Sequence, residues 1–300
     1  MQKNIGMYSY SPLRYPGGKS KLCDCIESYM ENCGEAIDTY IEPFAGGAGI
    51  AMALLLNRKV KRVIINDLNV GVYSFWKAIC ESTEDFLRLL HDTDINMETY
   101  NRQKLIYSLQ MNASPAYSLE LGFATFFLNR TNYSGILDSG PIGGYAQKGT
   151  YNIGVRFNKI ELATKIQNIA RFSSKIKIHN KDIIDFNSRV ISHCKRAFIY
   201  YDPPYYIKGE NLYTNFLRHD DHQKIHDSIS KVKLPWLLTY DNAKEIYDIY
   251  SDYKAYKFCL SYTLNSTSNR QGTELMFSNL PFAIDKISKP LKRKINLLSI

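Results

Sequence analysis

"YYDPPYY", residues 200–206, follows the apolar run Ala197-Phe198-Ile199 and decides how the rest of the chain is read. The run predicts a strand, and Asp202 then falls at its C-terminal end, where α/β proteins place their ligands. Pro203 and Pro204 fix φ and donate no backbone hydrogen bond, but their carbonyls remain rigidly held acceptors. An exocyclic amino group has two hydrogens to give, and a carboxylate with an adjacent carbonyl accepts both. Tyr205 offers a face for stacking a flat ring. Asp202, Pro203, Pro204 and Tyr205 are therefore the expected catalytic set, a clamp for an amino group on a planar base. The competing reading is a proline-rich turn with core tyrosines.

Outward from this stretch, further strand-like runs lie at 36–44, 62–67, 175–180 and 235–241, each short, apolar and closed by a polar or turn-forming residue. Helical periodicity follows the first of them and recurs over 221–232. Strand and helix in alternation predict βαβ units and a parallel sheet. The alternation breaks between about Asn69 and Asn158, where four helical stretches lead into 131–157, a Gly-, Tyr- and Asn-rich segment that reads as hairpins and loops. The expected organisation is a catalytic domain of 1–68 and 159–300, interrupted by a substrate-reading domain of 69–158. The C-terminal 285–300, with five Lys or Arg, reads as a solvated tail.

Composition narrows the partners. The chain holds 38 Lys plus Arg against 29 Asp plus Glu, a net charge of +9, which points to a polyanion, nucleic acid before membrane. Cys23 and Cys25 are one residue apart, and no second pair or neighbouring histidine completes a zinc set, so no metal is expected and the six cysteines read as reduced thiols. The apolar run 50–56 is too short to span a bilayer, and the first residues lack an apolar signal core. A cytoplasmic, monomeric protein is the expectation.

Two stretches besides the clamp carry ligand chemistry. In "YIEPFAGGAG" (40–49) a strand meets a glycine turn and then a helix, which lets a ligand approach the helix N-terminus closely. Its spacing fits neither a dinucleotide fingerprint nor a P-loop. Asp67 ends the next strand, placed to accept ribose hydroxyls, with helix capping as the plainer alternative. Together they suggest an adenosine-containing cofactor without a pyrophosphate. Upstream, "RYPGGKSKL" (14–22) makes a tight turn that delivers Lys19.

In this order, "RYPGGKSKL", "YIEPFAGGAG", "INDLN" (65–69) and "YYDPPYY" resemble the Dam-like, D12 class DNA adenine-N6 methyltransferases, and "FFLNRTNYSGI" (126–136) resembles the end of that family's recognition domain. The resemblance covers about Leu13 to Leu280, and in it "GTELMF" (272–277) is similar to the family's last strand, preceded by a loop, "NSTSNRQ" (265–271). It implies a Rossmann-like methyltransferase sheet with an inserted, mainly helical DNA-recognition domain. It implies S-adenosylmethionine as cofactor, held by Tyr15, Lys19, Phe44, Gly46, Asp67, Asp182 and Asp202. It implies double-stranded DNA as partner, met by Asn129, Arg130, Tyr133 and Arg156, and a target adenine flipped out of the duplex for methylation at N6. Tyr15-Pro16 replaces the Trp-Ala of many relatives. Tyr133-Ser134-Gly135 is followed by Ile136 and Leu137 where GATC-specific relatives carry an arginine, so GATC is not the expected target. The clamp is shared with cytosine-N4 and some RNA methyltransferases, which stay open as alternatives, as does a silent DNA-binding relative.

Overall fold

The apolar runs pair into one mixed sheet because almost every residue in them is buried on both faces, as parallel strands covered by helices require. The computed structural model describes residues 10–14, 19–113, 116–207, 217–263, 269–280 and 297–299. Strands β1 (Thr39–Glu42), β2 (Arg62–Asn66), β3 (Ile176–His179), β4 (Ala197–Tyr201) and β5 (Trp236–Asp241) pair parallel with one another. β6 (Ala255–Thr263), β7 (Asn269–Ser278) and β8 (Leu297–Ser299) complete the sheet in the order β3-β2-β1-β4-β5-β7-β6-β8. β7 runs antiparallel between β5 and β6. The chain winds outward from β1 in one direction and from β4 in the other, so the crevice at their C-terminal ends is where such a sheet receives a ligand.

Helices α1 (Cys23–Asn32) and α2 (Gly49–Leu56) flank β1. α2 is apolar on nearly all sides and its six central residues are buried. Between β2 and β3 come α3 (Val70–Glu81), α4 (Thr83–Asp92), α5 (Met97–Asn112), α6 (Leu119–Thr131) and α7 (Lys159–Ala170). Four of these five start on a polar side chain that accepts a backbone N–H: Asn69, Asn96, Ser118 and Asn158. Stacked Phe75 and Phe126, 5.6 Å apart, and the Phe86–Phe123 pair join α3, α4 and α6. One apolar cluster runs without a break from β1 and β2 into these inserted helices. α8 (Ile183–Arg189), α9 (His219–Ile229) and α10 (Lys244–Ile249) cover a second cluster, which contains Ile41, Ile199 and Leu238.

Three expectations need correction. The expected hairpin in 131–157 is a single antiparallel bridge, Asn132 to Pro141, closed by Tyr133 N–H to Gly140 O at 3.0 Å; the remainder is turns and short 3-10 segments, Tyr133–Gly135 and Ile153–Arg156. Its glycines permit no longer ladder: Gly135, Gly143 and Gly144 all take positive φ. The C-terminus is not wholly a solvated tail, because Leu297–Ser299 pairs with β6. Asn269–Gln271, expected in a loop, already belong to β7, while 264–268 lie outside the described residues. The five described cysteines other than Cys259 are free thiols; burial pushes Cys23 and Cys25 up to about 12, which makes them inert. Among the described residues, no helix is long and apolar enough to cross a membrane, and no group of three or more His, Cys, Asp or Glu is placed to hold a metal ion.

Candidate active site

The C-terminal ends of β1, β2, β4 and β5 each finish on or beside an acid: Glu42, Asp67, Asp202 and Asp241. Each acid is held differently, and the differences sort their roles.

Asp202 is gripped. The Lys19 ammonium lies 3.0 Å from Oδ1 and 3.3 Å from Oδ2, and the Thr239 hydroxyl donates to Oδ1 at 2.9 Å. Tyr200 Oη stands 2.7 Å from that hydroxyl, so the strand beneath the clamp also fixes it. Lys19 donates further to Tyr205 Oη at 2.7 Å and faces Glu274 Oε2 at 3.4 Å, while Tyr205 donates to Glu274 Oε1 at 2.7 Å. One cation is thus shared by two carboxylates and a phenol. The Lys19 side chain is 2% exposed and that of Asp202 25%, so the acid keeps an open edge while its partner is sealed in. A buried ammonium demands such full pairing, since desolvation without partners costs several kcal/mol.

Tyr205 departs from expectation. It was expected to offer an open stacking plate, but it is 6% exposed, with Lys19 4.8 Å from its ring centroid. Its phenol, drawn inward by Lys19 and Glu274, makes it a wall of the grip in this structure. Pro203 is buried and Pro204 half-buried. Asp241 holds the turn that follows: its two oxygens accept from Tyr206 N and Ile207 N, both at 2.8 Å.

Around the glycine turn, Asp67 Oδ2 accepts from Gly46 N at 2.8 Å and Oδ1 from Asn69 N at 2.9 Å. Burial pushes its carboxyl up to about 6, with the two amide bonds pulling the other way. Asp67 does not cap α3; Asn69 does, through Gly71 N and Val72 N. Gly46 takes φ 44°, and its carbonyl accepts from Trp76 Nε1 at 2.9 Å. Phe44 is half-buried against the second apolar cluster. Glu42 is buried and accepts from Ala51 N at 3.0 Å; burial pushes it up to about 8, with a smaller push from Asp202. Asn66 ties the strand ends together, donating to Pro43 O and Lys181 O and accepting from Lys181 N. Asp182 is exposed and caps α8 through Ile184 N. Tyr15 lies outside the described residues.

The four residues expected to meet DNA divide. Tyr133, 60% exposed, and Arg156 face solvent. Asn129 is buried, and its amide accepts from Arg14 N and donates to Arg14 O and Gly135 O. Arg130 is half-buried and turned onto the carbonyls of Arg156 and Pro12. Burial, with Arg14 nearby, pushes its guanidinium down to about 10.

Sequence reasoning missed Glu274, Thr239, Asp241 and Glu42. Asp241 was open to the rule that found Asp202, an acid closing a buried strand. Glu274 carried a weaker signal, a charge inside an otherwise apolar strand.

Residues 15–263 match the family described as D12 class N6 adenine-specific DNA methyltransferase. The chain belongs to that family. It methylates adenine in DNA site-specifically. The methyltransferase is 25% identical over 221 residues to the type II methyltransferase M.MjaIII of Methanocaldococcus jannaschii, a match covering 69% of this chain and 73% of that one. It is 24% identical over 221 residues to the DNA N-6-adenine-methyltransferase of Escherichia phage P1, covering 73% of this chain and 27% of the longer phage protein. Among solved structures it is similar to the rRNA methyltransferase aviRa of Streptomyces viridochromogenes, with 10% identity, a TM-score of 0.37, and 92% and 89% of the two chains covered.

Proposed function

We propose that the methyltransferase grips N6 of an adenine flipped out of duplex DNA between the Asp202 carboxylate and the Pro203 carbonyl, with S-adenosylmethionine as the methyl donor. The observation that carries this reading is the Lys19–Asp202 pair: an acid fixed on one side by a sealed cation and open on the other.

The residues at the strand ends fit the cofactor. Asp67 spends one acceptor position of each oxygen on a backbone amide, leaving the second for ribose hydroxyls. Gly46, without a side chain, leaves room beside it. Carboxylates outnumber cations around Lys19, which favours a ligand with positive charge. Tyr15, Lys19, Phe44, Gly46, Asp67, Asp182 and Asp202 are the residues assigned to hold it. When bound, the cofactor supplies a methyl carbon made electrophilic by its sulfonium sulfur.

The protein does the rest by position. Asp202 accepts one amino hydrogen and the Pro203 carbonyl the other, which aims the N6 lone pair outward for in-line attack. Lys19 and Thr239 hold Asp202 in place, so no reorganisation is needed at the moment of reaction. Pro204 stiffens the turn, and Tyr205 walls the site. Tyr133 and Arg156 meet the duplex on the inserted face, and the chain acts as a monomer. The 69–158 insertion reads the target. The relatives named as type II methyltransferases support a protective role beside a restriction enzyme.

The test is transfer of labelled methyl from S-adenosylmethionine to duplex DNA, with the product nucleoside identified. N6-methyladenine is the expected product. N4-methylcytosine, or label found only in RNA, overturns the reading.

A further inference from the structure

The segment leading to Lys19 is tied to the loop that carries Tyr133. Arg14 N donates to Asn129 Oδ1 at 2.7 Å, and Asn129 Nδ2 donates back to Arg14 O at 2.6 Å. The same amide donates to Gly135 O at 2.9 Å. Arg14 Nη1 reaches Asn132 O at 3.3 Å, and Arg130 Nη1 reaches Pro12 O at 3.5 Å. Gly135 fits so closely that a Cβ added there would stand 2.5 Å from the Arg14 carbonyl oxygen. Just beyond this clasp lies Tyr133, 60% exposed, and Ser134, strained at φ 55°. Five residues past Arg14 stands Lys19, which holds Asp202, Tyr205 and Glu274.

We propose that Asn129 is a positioning residue that couples the target-reading loop to the Asp202 grip through Arg14 and Lys19. This rests on the reading above that the Tyr133 loop meets the duplex. A correct target seats the loop, the loop fixes Asn132 and Gly135, and the clasp fixes Arg14, five positions before Lys19. A wrong target leaves the loop displaced and Lys19 mis-set, so discrimination acts on the transfer rate as well as on binding. The arrangement explains why the Asn129 side chain on α6 is buried and spent on backbone groups of Arg14 and Gly135.

Asn129→Asp tests this. It keeps the size and the acceptor for Arg14 N, and loses both donations. The substrates are duplexes carrying the site mapped by N6-methyladenine sequencing and single base-pair variants of it. The expected result is a kcat about 10- to 100-fold lower on the mapped site, as small misplacements of catalytic groups produce. Duplex affinity should change by less than about threefold, and the kcat ratio between mapped and variant sites should collapse toward one. A readout independent of turnover is acylation of Lys19, followed by mass spectrometry. Lys19 should be protected in the wild type, more so with the mapped duplex, and in Asn129→Asp it should label faster and ignore the duplex. Unchanged discrimination with Lys19 still protected overturns the proposal, as does a loss confined to duplex affinity. If Asn129→Asp does not fold, the wild type decides: Lys19 protection that the mapped duplex raises no more than a variant duplex does overturns the proposal. Tyr133→Ala separates the two proposals. If it binds and methylates like the wild type, the loop does not meet DNA and the underlying reading fails. If it is impaired while Asn129→Asp discriminates normally, the coupling alone fails.

Discussion

Asp202 and Arg156 both belong to the proposed machinery, yet their surroundings are opposite. Asp202 meets the buried Lys19 and the Thr239 hydroxyl, with an edge left open. Arg156 is exposed, and its carbonyl accepts from Arg130. The difference teaches where each step gets its free energy. Aiming a lone pair needs charges fixed beforehand in a dry setting. Meeting a phosphate backbone draws on counterion release, for which an exposed, mobile cation serves. Damage to the first region should therefore appear in the transfer rate, and damage to the second in affinity and its salt dependence.

The largest effect is expected from Asp202→Asn. It keeps the shape and loses the charge, and should lower single-turnover transfer about 10²–10³-fold while duplex affinity holds; a comparable loss in affinity would erase the contrast. Lys19→Met leaves Asp202 and Glu274 facing each other uncompensated. It should lower the rate about 10²-fold and stability by about 3 kcal/mol, the low end for a broken buried pair because Asp202 is partly solvated. Thermal unfolding and transfer rates measured together check this.

Arg156→Ala should raise the duplex Kd about three- to tenfold and reduce the slope of log affinity against log salt by about one. Saturating duplex should restore kcat. A kcat loss that saturation does not restore would give Arg156 a place in the chemistry.

The last prediction concerns pH. Glu42, held up at about 8 in the folded chain, lies above its unfolded range. Its contribution to stability is fully present below about pH 4.5 and is lost as pH rises through about 8. Asp67, at about 6, acts in the same direction over a lower window. Thermal stability of the wild type should fall between pH 5 and 8, and Glu42→Gln, fixed in the neutral form, should flatten the upper part of that fall. An identical pH profile in the variant would remove Glu42 from the account.

How far the sequence disclosed this depends on whether the chemistry is local in the chain. Asp202, Pro203 and Tyr205 are consecutive or nearly so and were legible as a clamp, whereas Lys19 was named only as a cofactor contact implied by the resemblance, and its pairing with Asp202 was not read. Glu274 was not, because its place depends on β7 inserting antiparallel beside β5, where Asp241 and Glu274 pair. Nothing in "GTELMF" states that register. Thr239 sits in an apolar strand and has no motif. Asn129 and Arg130 were assigned to the duplex through the resemblance of "FFLNRTNYSGI" to the end of the family's recognition domain. The helical period already argued otherwise for Asn129, which lies three residues after Phe126 and shares its buried face. The parallel half of the sheet followed from alternation, but β6 and β8, added after β5 without intervening βαβ units, did not.

The central claim is that Lys19 and Asp202 act as one unit. A double-mutant cycle in single-turnover methyl transfer tests it most directly, with Asp202→Asn, Lys19→Met and the pair together. The account predicts a double variant no slower than Asp202→Asn alone, because the cation works only by holding the acid. Losses that multiply would contradict it.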